Sequence, residues 1–134
     1  METTKSALVE LHNESFETQI VSSFQRQGYA VTLANSVDEM LTHMRVDTSK
    51  KFRFMPTNRF GKYFMELNLG SPESPSCEPA KLIYRYVRPY KIKGEADFLG
   101  VAGYPETLEC GKRARIPCAD RSDISRIIEF IETS

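Results

Sequence analysis

The sequence predicts a single α+β domain spanning residues 1–134, an antiparallel meander of about five strands with helices near residues 7–27, 36–46 and 121–133 packed mainly on one face. Three observations lead there. Apolar residues recur at helical spacing in the first 46 residues and again at the end of the chain. From about residue 50 the period changes to two, the mark of a strand with one wet face. Pro- and Gly-rich breaks then divide the middle of the chain into short pieces.

Taken in order, Val9, Phe16, Ile20 and Phe24 share one helical face, and Gly28 ends that helix. "YAVTLA" (29–34) is a short buried strand. Ser36 and Glu39 stand at capping-box spacing before Val37, Met40, Leu41 and Met44, which predicts a second helix. "KKFRFMP" and "GKYFMELNLG" alternate around "TNRFG" as a hairpin. "SPESPSCEPA" is a loop by composition. "KLIYRYVRPYKIK" (81–93) follows as a strand to about Pro89, and the Gly-interrupted "FLGVAGYPETLECGKRARIPC" holds one or two more, with "GVAGYP" as a turn or bulge. Asp120 or Ser122 caps a last helix whose Ile124, Ile127, Ile128 and Ile131 form one stripe. The stripes need a common partner, so Met40, Leu41, Tyr63, Met65, Leu67, Ile127, Ile128 and Ile131 are the expected core.

Composition narrows the functional classes. Lys plus Arg and Asp plus Glu both number 18, so no global field draws the protein to nucleic acid or an anionic membrane. The charge is uneven: residues 51–115 hold 12 basic and 7 acidic groups, and both ends are acidic. No apolar run reaches the ~20 residues of a membrane span, and the N-terminus lacks a signal-peptide layout. Three cysteines at scattered spacings argue against a disulfide framework and for a reducing compartment, so the expected location is cytoplasmic.

The stretch at 81–93 carries five basic residues, three tyrosines and no acid. Read as a strand, it places Lys81, Ile83, Arg85 and Val87 on one face and Leu82, Tyr84, Tyr86 and Arg88 on the other. Aligning the apolar faces of neighbouring strands then sets Phe64, Ile83 and Val87 at the centre of a patch ringed by Lys51, Arg53, Lys62, Lys81 and Arg85. An apolar centre with a charged rim is interface anatomy, and a second copy is the simplest partner. Because the tyrosines point away from the cations, stacking on single-stranded nucleic acid ranks behind a protein partner.

Chemistry is sparse. Cys77, Cys110 and Cys118, with His12 and His43, form no zinc signature, so the sequence assigns no metal and no cofactor. His12 falls on the first apolar stripe and reads as a buried or boundary histidine. Cys118, before the last helix, reads as a small apolar residue at a strand end. "SFETQIVSSFQRQGYAV" followed by "FMELN" resembles the restriction-endonuclease-like nucleases. That resemblance implies paired carboxylates around Mg²⁺, here among Glu17, Asp47 and Glu66, and a lysine two residues after the second acid. Asn68 stands in that place. The reading from sequence is therefore a non-enzymatic binding module without catalytic residues, with a nuclease or nucleic-acid-binding protein as the alternative. A small-molecule pocket between helices and sheet is the third possibility.

Overall fold

The computed structural model describes residues 5–46, 59–67 and 77–133. Among these residues strands and helices alternate: β1 (Ser6–Glu10), α1 (Glu14–Arg26), β2 (Ala30–Ala34), α2 (Val37–Met44), β3 (Lys62–Glu66), α3 (Glu78–Ile92), β4 (Asp97–Ala102), α4 (Pro105–Arg113), β5 (Cys118–Asp120) and α5 (Ile124–Glu132). The five strands make one sheet in the order β2-β1-β3-β4-β5, and every pairing is parallel. This overturns the antiparallel meander with helices on one face. A parallel sheet needs a crossover after each strand, and those crossovers place helices on both faces.

Two layers of core follow from strand register. Val9 pairs with Phe64 and Phe64 with Leu99, a row that faces α1 and α5. Leu8, Tyr63 and Phe98 form the adjacent row, facing α2, α3 and α4. Strands sandwiched in this way are apolar on both sides, so "ALV" in β1 is a continuous run and carries no alternation. That run was absorbed into the expected first helix. The helix in fact begins at Glu14, where Asn13 Oδ1 accepts from Phe16 N at 2.9 Å.

The expected core is buried, with one exception, but it is divided. Met40, Leu41, Tyr63, Met65 and Leu67 lie on one side of the sheet, Ile127 and Ile131 on the other, and Ile128 is exposed. The caps at Ser36 and Gly28 stand as expected: Glu39 N donates to Ser36 Oγ at 3.1 Å, and Gly28 turns at φ +87°. The cap of α5 is Asp123, whose carboxylate accepts from Arg126 N.

The stretch at 81–93 is the largest correction. It is helix α3, whose buried residues Ala80, Ile83, Tyr86, Val87 and Tyr90 follow a period near 3.6. Pro79 in its first turn and Gly94 just past its end were helix signals. The residues of this stretch also fit a period of two, the pattern of a strand. "GVAGYP" is no bulge either. Gly100 lies inside β4, and a methyl there would come within 2.5 Å of Leu67 Cδ2, so this glycine makes room for a core side chain. Cys77 and Cys110 are joined by a disulfide, with Cα atoms 6.0 Å apart. Spacing along the chain, 33 residues, carried no information about that approach.

Candidate functional site

In an open parallel sheet, the crevice outside the carboxyl ends of the strands opens where successive connections diverge. Here that point lies between β1 and β3. The chain leaves β1 towards β2 on one side and returns to β3 on the other. β1 ends on Glu10 and β3 on Glu66. The first turns of α1 and α2 bring Glu17 and Glu39 to the same neighbourhood.

Glu10 is the unusual member. Its side chain is 0% exposed, and neither carboxyl oxygen has a hydrogen-bond donor among the described residues. Burial in such a place penalises the charged form, and Glu66, Glu17 and Glu39 add like-charge repulsion. Together they push its pKa up to about 8. His12 Nε2 lies 2.8 Å from Glu10 Oε1, off the alignment that a hydrogen bond requires. The contact joins an exposed imidazole to a buried carboxyl whose neutral form is favoured by burial and by three carboxylates. His12 N reaches Glu66 Oε1 at 3.5 Å, a long contact that links the two strand ends. His12 itself is half exposed in the β1–α1 loop and does not lie on the α1 stripe. Among the described residues, no three His, Cys, Asp or Glu side chains are grouped to hold a metal ion.

The residues expected to form a patch are dispersed. Lys51 and Arg53 lie outside the described residues, as do Asp47 and Asn68. Phe64 is at the centre of the α1/α5 layer, its ring 6.2 Å from Phe16 and Phe24 and 6.1 Å from Phe130. Ile83 and Val87 are buried in the opposite layer, so the sheet separates them from Phe64. Lys81 pairs with Glu78 on the surface of α3, and Arg85 is an exposed residue of that helix. Of the hairpin that the nuclease resemblance calls for, the second arm is β3, which pairs in parallel with β1 and β4, and the first arm, "KKFRFMP", lies outside the described residues.

Lys62 belongs to the other end of the sheet. It is 4% exposed, and its Nζ donates to the carbonyls of Phe130, Ile131 and Thr133 at the end of α5. A cation there complements the helix C-terminus and satisfies carbonyls that have no partner within the helix. A cavity of about 510 Å³ opens beside it, lined in part by Lys5, Tyr29, Arg59, Lys91 and Asp97. Arg59 is paired with Glu95 at 2.7 Å, and Lys5 Nζ donates to Gln27 O beyond the end of α1. Arg59 and Lys91 face the carboxylates Glu95 and Asp97, while Lys5 and Lys62 donate to neutral carbonyls and keep their charge, so the lining is positive on balance.

Signals for the Glu10 site existed in the sequence. An acid closes the apolar run "ALVE", and the carboxyl end of a strand is where the ligand crevice of an open parallel sheet lies. The signal became legible only once β1 was a strand.

No family model matches the chain, and no curated protein matches it. Solved structures do. A response regulator from Burkholderia pseudomallei, described with a phosphorylated aspartic acid, calcium ion and citrate, is 22% identical with a TM-score of 0.62 over 96% of this chain and 67% of its own. A CheY-like receiver domain from Methanospirillum hungatei is 15% identical, TM-score 0.58, covering 95% and 92%. The non-phosphorylated HemR receiver domain from Leptospira biflexa is 16% identical, TM-score 0.59, covering 97% and 96%. What these likenesses establish is the fold.

Proposed function

We propose that this chain is a single-domain, non-enzymatic interaction module of receiver architecture, acting on a protein partner from the cytoplasm. Its carboxyl-edge site is closed around a neutral Glu10. The observation that carries this reading is Glu10 itself, wholly buried without a donor at the point where such a fold places its ligand site. A buried carboxyl with no well-aligned hydrogen bond costs several kcal/mol, on the order of 2–7 for its neutral polar groups alone. An apolar residue would fill the same space at no such cost.

The Burkholderia structure pairs its fold with a phosphorylated aspartic acid and a calcium ion. This chain has no aspartate at or just after the ends of β1 and β3, where "VELHN" and "MELNL" run. Asp120, at the end of β5, already accepts from Ser122 N at 2.8 Å and Ser122 Oγ at 2.6 Å. Calcium takes six to eight oxygen ligands. Glu10 and Glu66 are the right donors in kind, but no third acidic or histidine ligand joins them among the described residues. The proposed function therefore runs through neither phosphoaspartate nor metal at this site: partner binding does not depend on a change at the acidic edge.

The partner surface in this proposal includes α5, where Ile124 and Ile128 stand one turn apart, 53% and 44% exposed. A second copy is the first partner to test. The test has two arms. Acetyl phosphate with Mg²⁺ should leave the intact mass unchanged, and a phosphoryl adduct lost in Glu66→Gln would replace this reading with a phosphoryl-accepting one. Sedimentation across a concentration series should show association that Ile128→Asp weakens. Association untouched by that change would remove α5 from the interface.

A further inference from the structure

We propose that Cys77 and Cys110 are a reversible thiol–disulfide modification site, which clamps α4 when oxidised and releases it to a thiol reductant of the glutathione class. The bond joins the residue that precedes α3 to the middle of α4. The two helices are held very differently. α3 buries Ala80, Ile83, Tyr86, Val87 and Tyr90. α4 buries only Thr107 and Gly111, and the Thr107 hydroxyl has no hydrogen-bond partner. Leu108 and Cys110 add partly buried contacts. By contrast, α1, α2 and α5 each bury at least two large apolar side chains. The covalent link to a firmly packed helix thus supplies what the apolar grip of α4 lacks.

The two sulfurs are not equivalent. Cys77 is 0% exposed, whereas Cys110 is partly exposed and lines the groove between α3 and α4 with Lys81, Glu106, Glu109 and Arg113. A thiolate entering the groove attacks Cys110 Sγ. The protein S–S bond breaks, a mixed disulfide forms on Cys110, and Cys77 leaves as a thiolate. It leaves at the N-terminus of a 15-residue helix, whose dipole stabilises a thiolate and so favours its departure. A second reductant thiolate then attacks the reductant sulfur of the mixed disulfide. Cys110 is released, and the reductant departs as its own disulfide, having supplied both electrons. The two cysteine thiolates take up protons from solvent, and excess oxidised reductant reverses the sequence. Cys118 stays outside this chemistry: it is a free thiol, and burial pushes its pKa up, away from the reactive thiolate.

The test uses the full chain carrying Cys118→Ser, which leaves two cysteines. Glutathione disulfide should remove both free thiols and dithiothreitol should return them. Hydrogen exchange across residues 105–113 should be about tenfold faster or more in the reduced form, with β1 and β3 unchanged. Cys77→Ser with Cys110→Ser should exchange at the reduced rate in either buffer. If that variant does not fold, the oxidised and reduced forms of the parent still decide the matter. Thiols that survive oxidation, equal α4 exchange in both forms, or loss of protection throughout the sheet on reduction would each overturn the proposal.

Discussion

Replacing Glu10 by glutamine should change how stability depends on pH. The folded-state pKa of Glu10 is raised from the ordinary 4.5 to about 8, chiefly by burial and then by Glu66, Glu17 and Glu39. Between those values the folded chain holds a proton that the unfolded chain has released. Stability must then fall as pH rises across that window. The contribution is fully present below about 4.5, is lost progressively, and is gone once pH passes about 8. An interval of about 3.5 pH units at about 1.4 kcal/mol per unit puts the whole loss at up to about 5 kcal/mol. Glutamine keeps the shape and the buried polarity but cannot ionise. The variant should match the parent near pH 4.5 and exceed it by several kcal/mol at pH 9. The difference between the two chains cancels groups that titrate alike in both. The chain has no tryptophan, so urea melts followed by far-UV circular dichroism are the suitable assay. Parallel pH profiles for parent and variant would refute the reasoning, because they would show that Glu10 is already charged and accommodated in the folded state.

Further perturbations probe the scaffold. Leu67 is fully buried against Gly100 and Gly111, so Leu67→Ala should cost ~2–5 kcal/mol in denaturant melts. Gly100→Ala should cost ~1–3 kcal/mol by overpacking, and markedly less in the Leu67→Ala background, where the obstructing side chain is gone. Lys62→Met should cost about 1.5–3 kcal/mol and speed hydrogen exchange in the last turn of α5, since three carbonyls there lose their donor. Ile127→Ala should cost ~2–5 kcal/mol while Ile128→Ser changes the melt by no more than about 0.5, which checks the orientation of α5.

Local interactions were legible in the sequence because their partners are neighbours along the chain. The N-cap at Ser36 and the stop at Gly28 each lie within a few residues, whereas of the expected α5 stripe only Ile127 and Ile131 are buried and Ile124 and Ile128 face outward. Tertiary contacts decided the rest. "KLIYRYVRPYKIK" satisfies a period of two and a period of 3.6 at once. Only the layer that it packs against, with Ile83 and Val87 beside Tyr63 and Phe98, selects the helix. Phe64 and Lys62 look like an exposed strand face until α1 and α5 are laid over them. The acidic site is wholly a product of topology. Glu10 and Glu66 are 56 positions apart in the sequence, and they become neighbours only because β1 and β3 pair in parallel with both strands ending at the same edge. Pairing direction is set by which crossover buries the most apolar surface, a property of the assembled layers that no short window of residues contains.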